Sequence, residues 1–183
     1  MTDQDDFTWI TEVLLAEYDP GWPGEFLAES RRVREVLGEK VVDVHHVGST
    51  AVNNLIAKPI IDLLVEVADL EPIDAMTDSF IEVGYEVRGE SGIPGRRFLT
   101  RNEEGQRTHD IHIFQTGHDE IEQMLLFRDR LRENPDVAAS YADLKMELAA
   151  KFPDDVLRYT QEKTEFILSA VEAQRRVVAT RLD

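Results

Sequence analysis

Apolar and polar positions change their spacing along the chain, and each change marks an element. From Glu25 to Leu37 the row Phe26, Leu27, Ser30, Val33, Arg34 and Leu37 has helical spacing, with Gly38 as a stop. Val41–Val47 is rich in β-branched residues and reads as a strand. Pro59–Val67 is a second strand, apolar except for Asp62 and Glu66. Glu71–Val83 predicts a helix with Pro72 in its first turn, an apolar stripe of Ile73, Met76, Phe80 and Val83, and an end at Gly84. Tyr85–Arg88 and Arg96–Arg101 read as strands around a loop, GESGIPG. Arg107–Gln115 is a further strand. In it Ile111 and Ile113 share one face, and Asp110, His112 and Phe114 share the other.

From His118 the pattern is helical. Pro135 and Pro153 divide it into His118–Glu133, Asp136–Phe152 and Asp154 to about Leu182. Val137, Tyr141, Leu144, Leu148 and Phe152 form one side of the middle helix. At the other end, residues 1–8 are polar, and Ile10–Glu17 is too short for period alone to separate helix from strand. Pro20, Gly21, Pro23 and Gly24 break regular structure after it. The order predicts one α/β domain over residues 1–183, with a mixed α/β part over about 9–117 and helices over 118–182.

Composition narrows the function. The hydrophobic share of 42% supports a packed core. Acids outnumber bases 37 to 20, for a net charge of −17, which argues against general nucleic-acid binding because phosphate backbones recruit clustered Lys and Arg. There is no cysteine, so thiolate chemistry and disulfides are excluded. The start MTDQDD lacks the features of a signal peptide, and no apolar run is long enough to span a bilayer. A cytoplasmic protein with no membrane partner is the expectation.

The candidate chemistry centres on Val41–Val67. Gly48 permits a tight turn between the strand and a short helical crossing, and Ser49 and Thr50 are good N-cap residues. A strand–Gly–Ser–helix arrangement is a natural seat for a phosphate. Asp62 sits in an apolar strand, where a carboxylate is costly unless it is paired or binds a metal. It is either a Mg²⁺ ligand or a structural acid that caps a turn or pairs with Lys58 or an Arg. Glu66 shares its face but lies ~13 Å along the strand at ~3.3 Å per residue, too far to share a Mg²⁺, and is expected to be a solvated acid. Asp110 and His112 could converge on Asp62 across the sheet, or form a polar face beneath a loop. His109 points the other way. His45 and His46 oppose each other, and either could be a hydrogen-bonded core histidine. Arg128 and Arg132 share a helix face and are expected to pair with Asp129 or Glu133. No Ser-His-Asp order, P-loop, GxGxxG or zinc-spaced His cluster is present.

A Gly-Ser turn before an Asp-bearing strand resembles the signature of the nucleotidyltransferase superfamily. The whole chain more closely resembles the GrpB family. The motifs are Tyr18-Asp19-Pro20-Gly21-Trp22-Pro23, His46-Val47-Gly48-Ser49-Thr50-Ala51-Val52, Lys58-Pro59-Ile60-Ile61-Asp62, Gly95-Arg96-Arg97-Phe98, His109-Asp110-Ile111-His112, Phe127-Arg128-Asp129-Arg130-Leu131-Arg132 and Tyr159-Thr160-Gln161-Glu162-Lys163. The resemblance implies a small mixed β-sheet of nucleotidyltransferase type with flanking helices. A related domain occurs fused to some bacterial dephospho-CoA kinases.

It also implies a site. Asp62, Asp110 and His112 would be catalytic, with Asp62 and Asp110 holding Mg²⁺. Gly48, Ser49, Thr50, Lys58, Arg96, Arg97, Tyr159 and Lys163 would bind a nucleotide or another phosphate-bearing small molecule. Alternation lets only one of Arg96 and Arg97 face that site, while Tyr159 and Lys163 share a helix face. Two departures bear on activity. The superfamily's second carboxylate position is Leu64, and the family more often has His-x-His where this chain has Asp110. The implied activity is metal-dependent nucleotidyl transfer. The alternative is a binding module that kept the turn and lost the metal site.

Overall fold

The computed structural model describes residues 12–182. The polar segment 1–8 and the start of the apolar stretch Ile10–Glu17 lie outside the described residues. Within 12–17, where period alone did not separate helix from strand, the chain forms a single bridge, Ala16 to Ala57.

Helix α1 (Trp22–Leu37) starts inside the Pro/Gly turn rather than after it. Pro23 falls in the first turn, where a missing N–H costs nothing. The Gly21 N–H donates to Asp19 Oδ1 at 2.7 Å. The chain then forms β1 (Val41–Val47), β2 (Ile61–Val67), α2 (Glu71–Asp74), α3 (Thr77–Glu82), β3 (Tyr85–Val87), β4 (Arg97–Glu103) and β5 (Gln106–Gln115). The one helix expected over Glu71–Val83 is thus two short helices. Strand β2 starts at Ile61 rather than Pro59, because the Ile60 N–H is spent in a tight turn on Lys58 O and Pro59 has no donor.

The five strands form one mixed sheet in the order β1-β2-β5-β4-β3. Only β2 and β5 run parallel. That pairing sets the site, because Asp62 lies opposite Asp110 and Leu64 opposite His112. Strand β4 continues both rows with Thr100 and Phe98. The other face carries Leu63, Val65, Ile111 and Ile113, all fully buried with Val33, Leu37 and Trp22 of α1. Each such side chain contributes roughly 1.5–3 kcal/mol of burial free energy.

Four helices follow, α4 (Asp119–Glu133), α5 (Pro135–Lys151), α6 (Val156–Gln161) and α7 (Thr164–Leu182); α4 packs on the first face through Ile121, and α5 and α7 pack with it against Val52 and Leu55 of the β1–β2 connection. His118 caps α4, its Nδ1 accepting from the Glu120 N–H at 3.2 Å. The long last helix expected from Asp154 is broken at Glu162–Lys163. Among the described residues no helix is long and apolar enough to cross a membrane.

Candidate functional site

Between the sheet and the C-terminal helices lies a cavity of about 420 Å³. Its floor is the β1–β2 turn with the polar ends of β2 and β5, and its roof is formed by α4 to α7. Ten residues anticipated from sequence line it: Gly48, Ser49, Thr50, Lys58, Asp62, Arg96, Asp110, His112, Tyr159 and Lys163. Arg97 does not. Its guanidinium pairs with Asp74 on the far side of the sheet, because strand alternation turns it away from Arg96.

The turn differs from the phosphate seat that the sequence suggests. Ser49–Ala51 is a single 3-10 turn capped by neither hydroxyl, and the chain runs from it to β2 without an α-helix. A turn so short supplies little dipole. The Thr50 hydroxyl donates to Ile60 O and accepts from His46 Nε2 at 3.0 Å. His46 is stacked on Phe26, and burial lowers its pKa to about 4. It is the structural histidine of the adjacent pair. His45 lies 3.0 Å from Glu66 Oε1, so Glu66, whose side chain is 15% exposed, is paired rather than solvated. The turn's other hydroxyl, Ser49 Oγ, accepts from Lys145 Nζ at 3.1 Å.

Lys145 was not among the residues anticipated from sequence. It is 2% exposed, and its ammonium also donates to Ile56 O. Burial lowers its pKa to about 7. Lys163 is likewise pushed down to about 7 by burial, aided by the charges of Lys58 and Lys145, and its Nζ lies 4.3 Å from the Tyr159 ring centre. Burial lowers the pKa of Lys58 as well. Five cationic side chains line the cavity, Lys58, Arg96, Arg107, Lys145 and Lys163, against three acids, Asp62, Asp110 and Glu120. In a chain of net charge −17 this local excess of cations points to an anionic ligand.

Asp62, Asp110 and His112 each place a potential ligand atom within 4.8 Å of the other two. His112 Nε2 is 3.5 Å from Asp62 Oδ1. Burial raises the pKa of Asp110, opposed by the ion pair with Arg107 and reinforced by the Asp62 charge. A divalent cation between the carboxylates would relieve that repulsion, so the donor set fits one. Gly48 makes the close approach possible. Its φ is +69°, and a Cβ there would lie 2.2 Å from Asp62 Oδ2.

Leu64 is 0% exposed and packs with Val47, Phe114 and Ile121. Leu64→Asp would bury an unpaired carboxylate in that cluster. It is expected to lower unfolding stability by at least ~2 kcal/mol, measured by urea denaturation. Arg128 pairs with Asp129 as expected, and also donates to His46 O at 3.2 Å. Arg132 donates to Ala51 O at 2.8 Å rather than serving a surface pair, so α4 grips the chain on both sides of the turn.

A five-stranded mixed sheet with an acidic cluster beside a Gly-Ser turn is the architecture of the nucleotidyltransferase fold. Solved structures agree on the fold. Cid1 poly(U) polymerase with MgGTP bound superposes with a TM-score of 0.52 at 13% identity, over 73% of this chain and 44% of that one. The chain belongs to the GrpB family, whose model, "GrpB protein", matches residues 12–173. The crystal structure of conserved protein GrpB from Enterococcus faecalis has a TM-score of 0.85 and 40% identity, covering 90% of this chain and 99% of that one. UPF0157 protein YqkA of Bacillus subtilis is 41% identical over 165 residues, which are 90% of this chain and 47% of that protein. A dephospho-CoA kinase of Mycobacterium leprae is 28% identical in an alignment that covers 85% of this chain and 45% of that protein. The chain therefore spans about half the length of these last two relatives, and the kinase match agrees with the expected fusions.

Proposed function

We propose that the cavity binds a nucleoside triphosphate with a divalent cation and that the protein transfers a nucleotidyl group to an acceptor oxygen. The observation that carries this reading is the meeting of Asp62, Asp110 and His112 on the floor of a cation-lined cavity. Asp62 and Asp110 would hold Mg²⁺, a hard cation that takes carboxylate and phosphate oxygens. When bound, the ion neutralises charge on the phosphate oxygens and orients them. Lys58, Lys145 and Lys163 bind the phosphate chain as point charges, with Ser49 held against Lys145. Burial beneath α4 to α7 excludes water and strengthens each of these interactions. The MgGTP on Cid1 is a ligand of this class.

Leu64 favours a second reading, a binding module without transfer, because the superfamily's second carboxylate is replaced by a core side chain. One calorimetric series separates the two. Nucleoside triphosphate is titrated with Mg²⁺ and with EDTA into wild type, Asp62→Asn and Lys145→Met. In wild type Mg²⁺ is expected to tighten binding at least about tenfold, ~1.4 kcal/mol. Asp62→Asn should lose that dependence, whereas Lys145→Met should weaken binding under both conditions. Wild-type affinity unchanged by EDTA, with no release of pyrophosphate alongside any acceptor, would select the binding module.

A further inference from the structure

Arg96 is 6% exposed, and its guanidinium is engaged in several directions. Nε donates to Glu90 O at 3.0 Å, and an Nη donates to Ser91 O. The other Nη lies 3.3 Å from His112 Nδ1. The same guanidinium sits 4.4 Å from the centre of the Phe98 ring, which packs 5.0 Å from the His112 ring. The loop before it turns two carbonyls inward by taking positive φ at Gly89, Ser91, Gly92 and Gly95.

A guanidinium has donors only and stays protonated. His112 Nδ1 must therefore present its lone pair to Arg96, and a neutral ring then carries its proton on Nε2. That Nε2 faces Asp62 Oδ1. We propose that Arg96 is a positioning residue that fixes His112 in its Nε2–H tautomer. In that state His112 turns its Nε2–H, with no free lone pair, toward Asp62 Oδ1 3.5 Å away, and is withdrawn from the ligand set. The cation site is then built from the carboxylates of Asp62 and Asp110, which selects Mg²⁺ or Mn²⁺ over Zn²⁺, an ion that readily takes imidazole. The metal half of this inference rests on the proposed function; the tautomer half stands without it.

The test uses the full chain with ¹⁵N-labelled histidine in EDTA at about pH 8. Two-bond ¹H–¹⁵N spectra distinguish the tautomers, and His112→Gln assigns the signal. Wild type is expected to show His112 as Nε2–H. Arg96→Met should lose that preference and Arg96→Lys should keep it in part. An Nδ1–H or imidazolium ring in wild type would overturn the proposal without recourse to any Arg96 variant. Unchanged tautomer in a folded Arg96→Met protein would overturn it too. Zn²⁺ titration gives the second readout: Arg96→Met should gain about tenfold or more in Zn²⁺ affinity, with the His112 signal shifting. A wild-type His112 that shifts on stoichiometric Zn²⁺ would refute the withdrawal from the ligand set. Failure of wild type to bind Mg²⁺ would count against the proposed function and leave the tautomer result intact.

Discussion

Gly48→Ala is expected to remove cation affinity by about 10–100-fold while leaving most of the fold. Two penalties meet at this position. With φ +69° and ψ −171° the backbone lies where essentially only Gly is found, at a cost of ~1–3 kcal/mol to an L-residue. The added Cβ would also stand 2.2 Å from Asp62 Oδ2 and 2.9 Å from Cγ, so the carboxylate must swing off its position opposite Asp110. Gly84→Ala separates the penalties. Gly84 has φ +94° and nothing within 4 Å of its would-be Cβ, so it pays for the backbone alone. Calorimetry and thermal unfolding should show a loss of stability in both variants, the larger one in Gly48→Ala, and a loss of Mg²⁺ binding in Gly48→Ala alone. Wild-type Mg²⁺ affinity in Gly48→Ala would show that Asp62 is not held for a cation.

Nucleotide binding at about pH 8 is expected to take up protons. Lys145 and Lys163 have pKa values of about 7 in the free protein, so above that pH they are largely neutral. A phosphate chain beside them favours the ammonium form and draws protons from the buffer, up to about two. Affinity should therefore fall as pH rises from about 7 toward the ordinary lysine value of 10.5. Stability of the free protein should move the other way. The unfolded chain binds more protons across that window, so unfolding free energy rises with pH there, by ~1.4 kcal/mol per pH unit for each proton. Below about pH 7 both lysines are charged in both states and the cost of burying them is fully present. Binding enthalpies measured in buffers of different ionisation enthalpy count the protons directly. Release of protons, or none exchanged, would place the lysines away from the phosphates.

The sheet was legible because alternation assigns the faces within a strand. Asp110 and His112 share a face of one strand, and Asp62 and Glu66 share a face of another. What alternation cannot supply is the parallel β2–β5 register that sets Asp62 opposite Asp110, because that depends on where a long crossover lands. The same rule allowed only one of Arg96 and Arg97 into the site, and the choice waited on which side of β4 faces the cavity. Lys145 was hidden by its charge. The buried row of α5 is Tyr141, Lys145 and Leu148, with steps of four and three, yet a lysine in such a row is easily taken for a solvated neighbour of Leu144. A cation at a core position of an apolar stripe was the available signal. Arg107 gave a weaker one, three residues before Asp110, and the two pair because the register slips between Arg107 and His109, a bulge that reverses the alternation. The break at Glu162–Lys163 has neither Pro nor Gly to announce it. The early start of α1 was masked by reading Pro23 as a breaker rather than as a first-turn residue.

The central claim is that Asp62 and Asp110 together hold one divalent cation against the phosphates of a nucleotide. Anomalous scattering from a crystal grown with Mn²⁺ and a non-hydrolysable nucleoside triphosphate tests it most directly. The prediction is one strong peak contacted by an oxygen of each carboxylate and by phosphate oxygens, with Lys145 and Lys163 on the phosphate chain. A nucleotide bound in the cavity with no peak between Asp62 and Asp110 would contradict it.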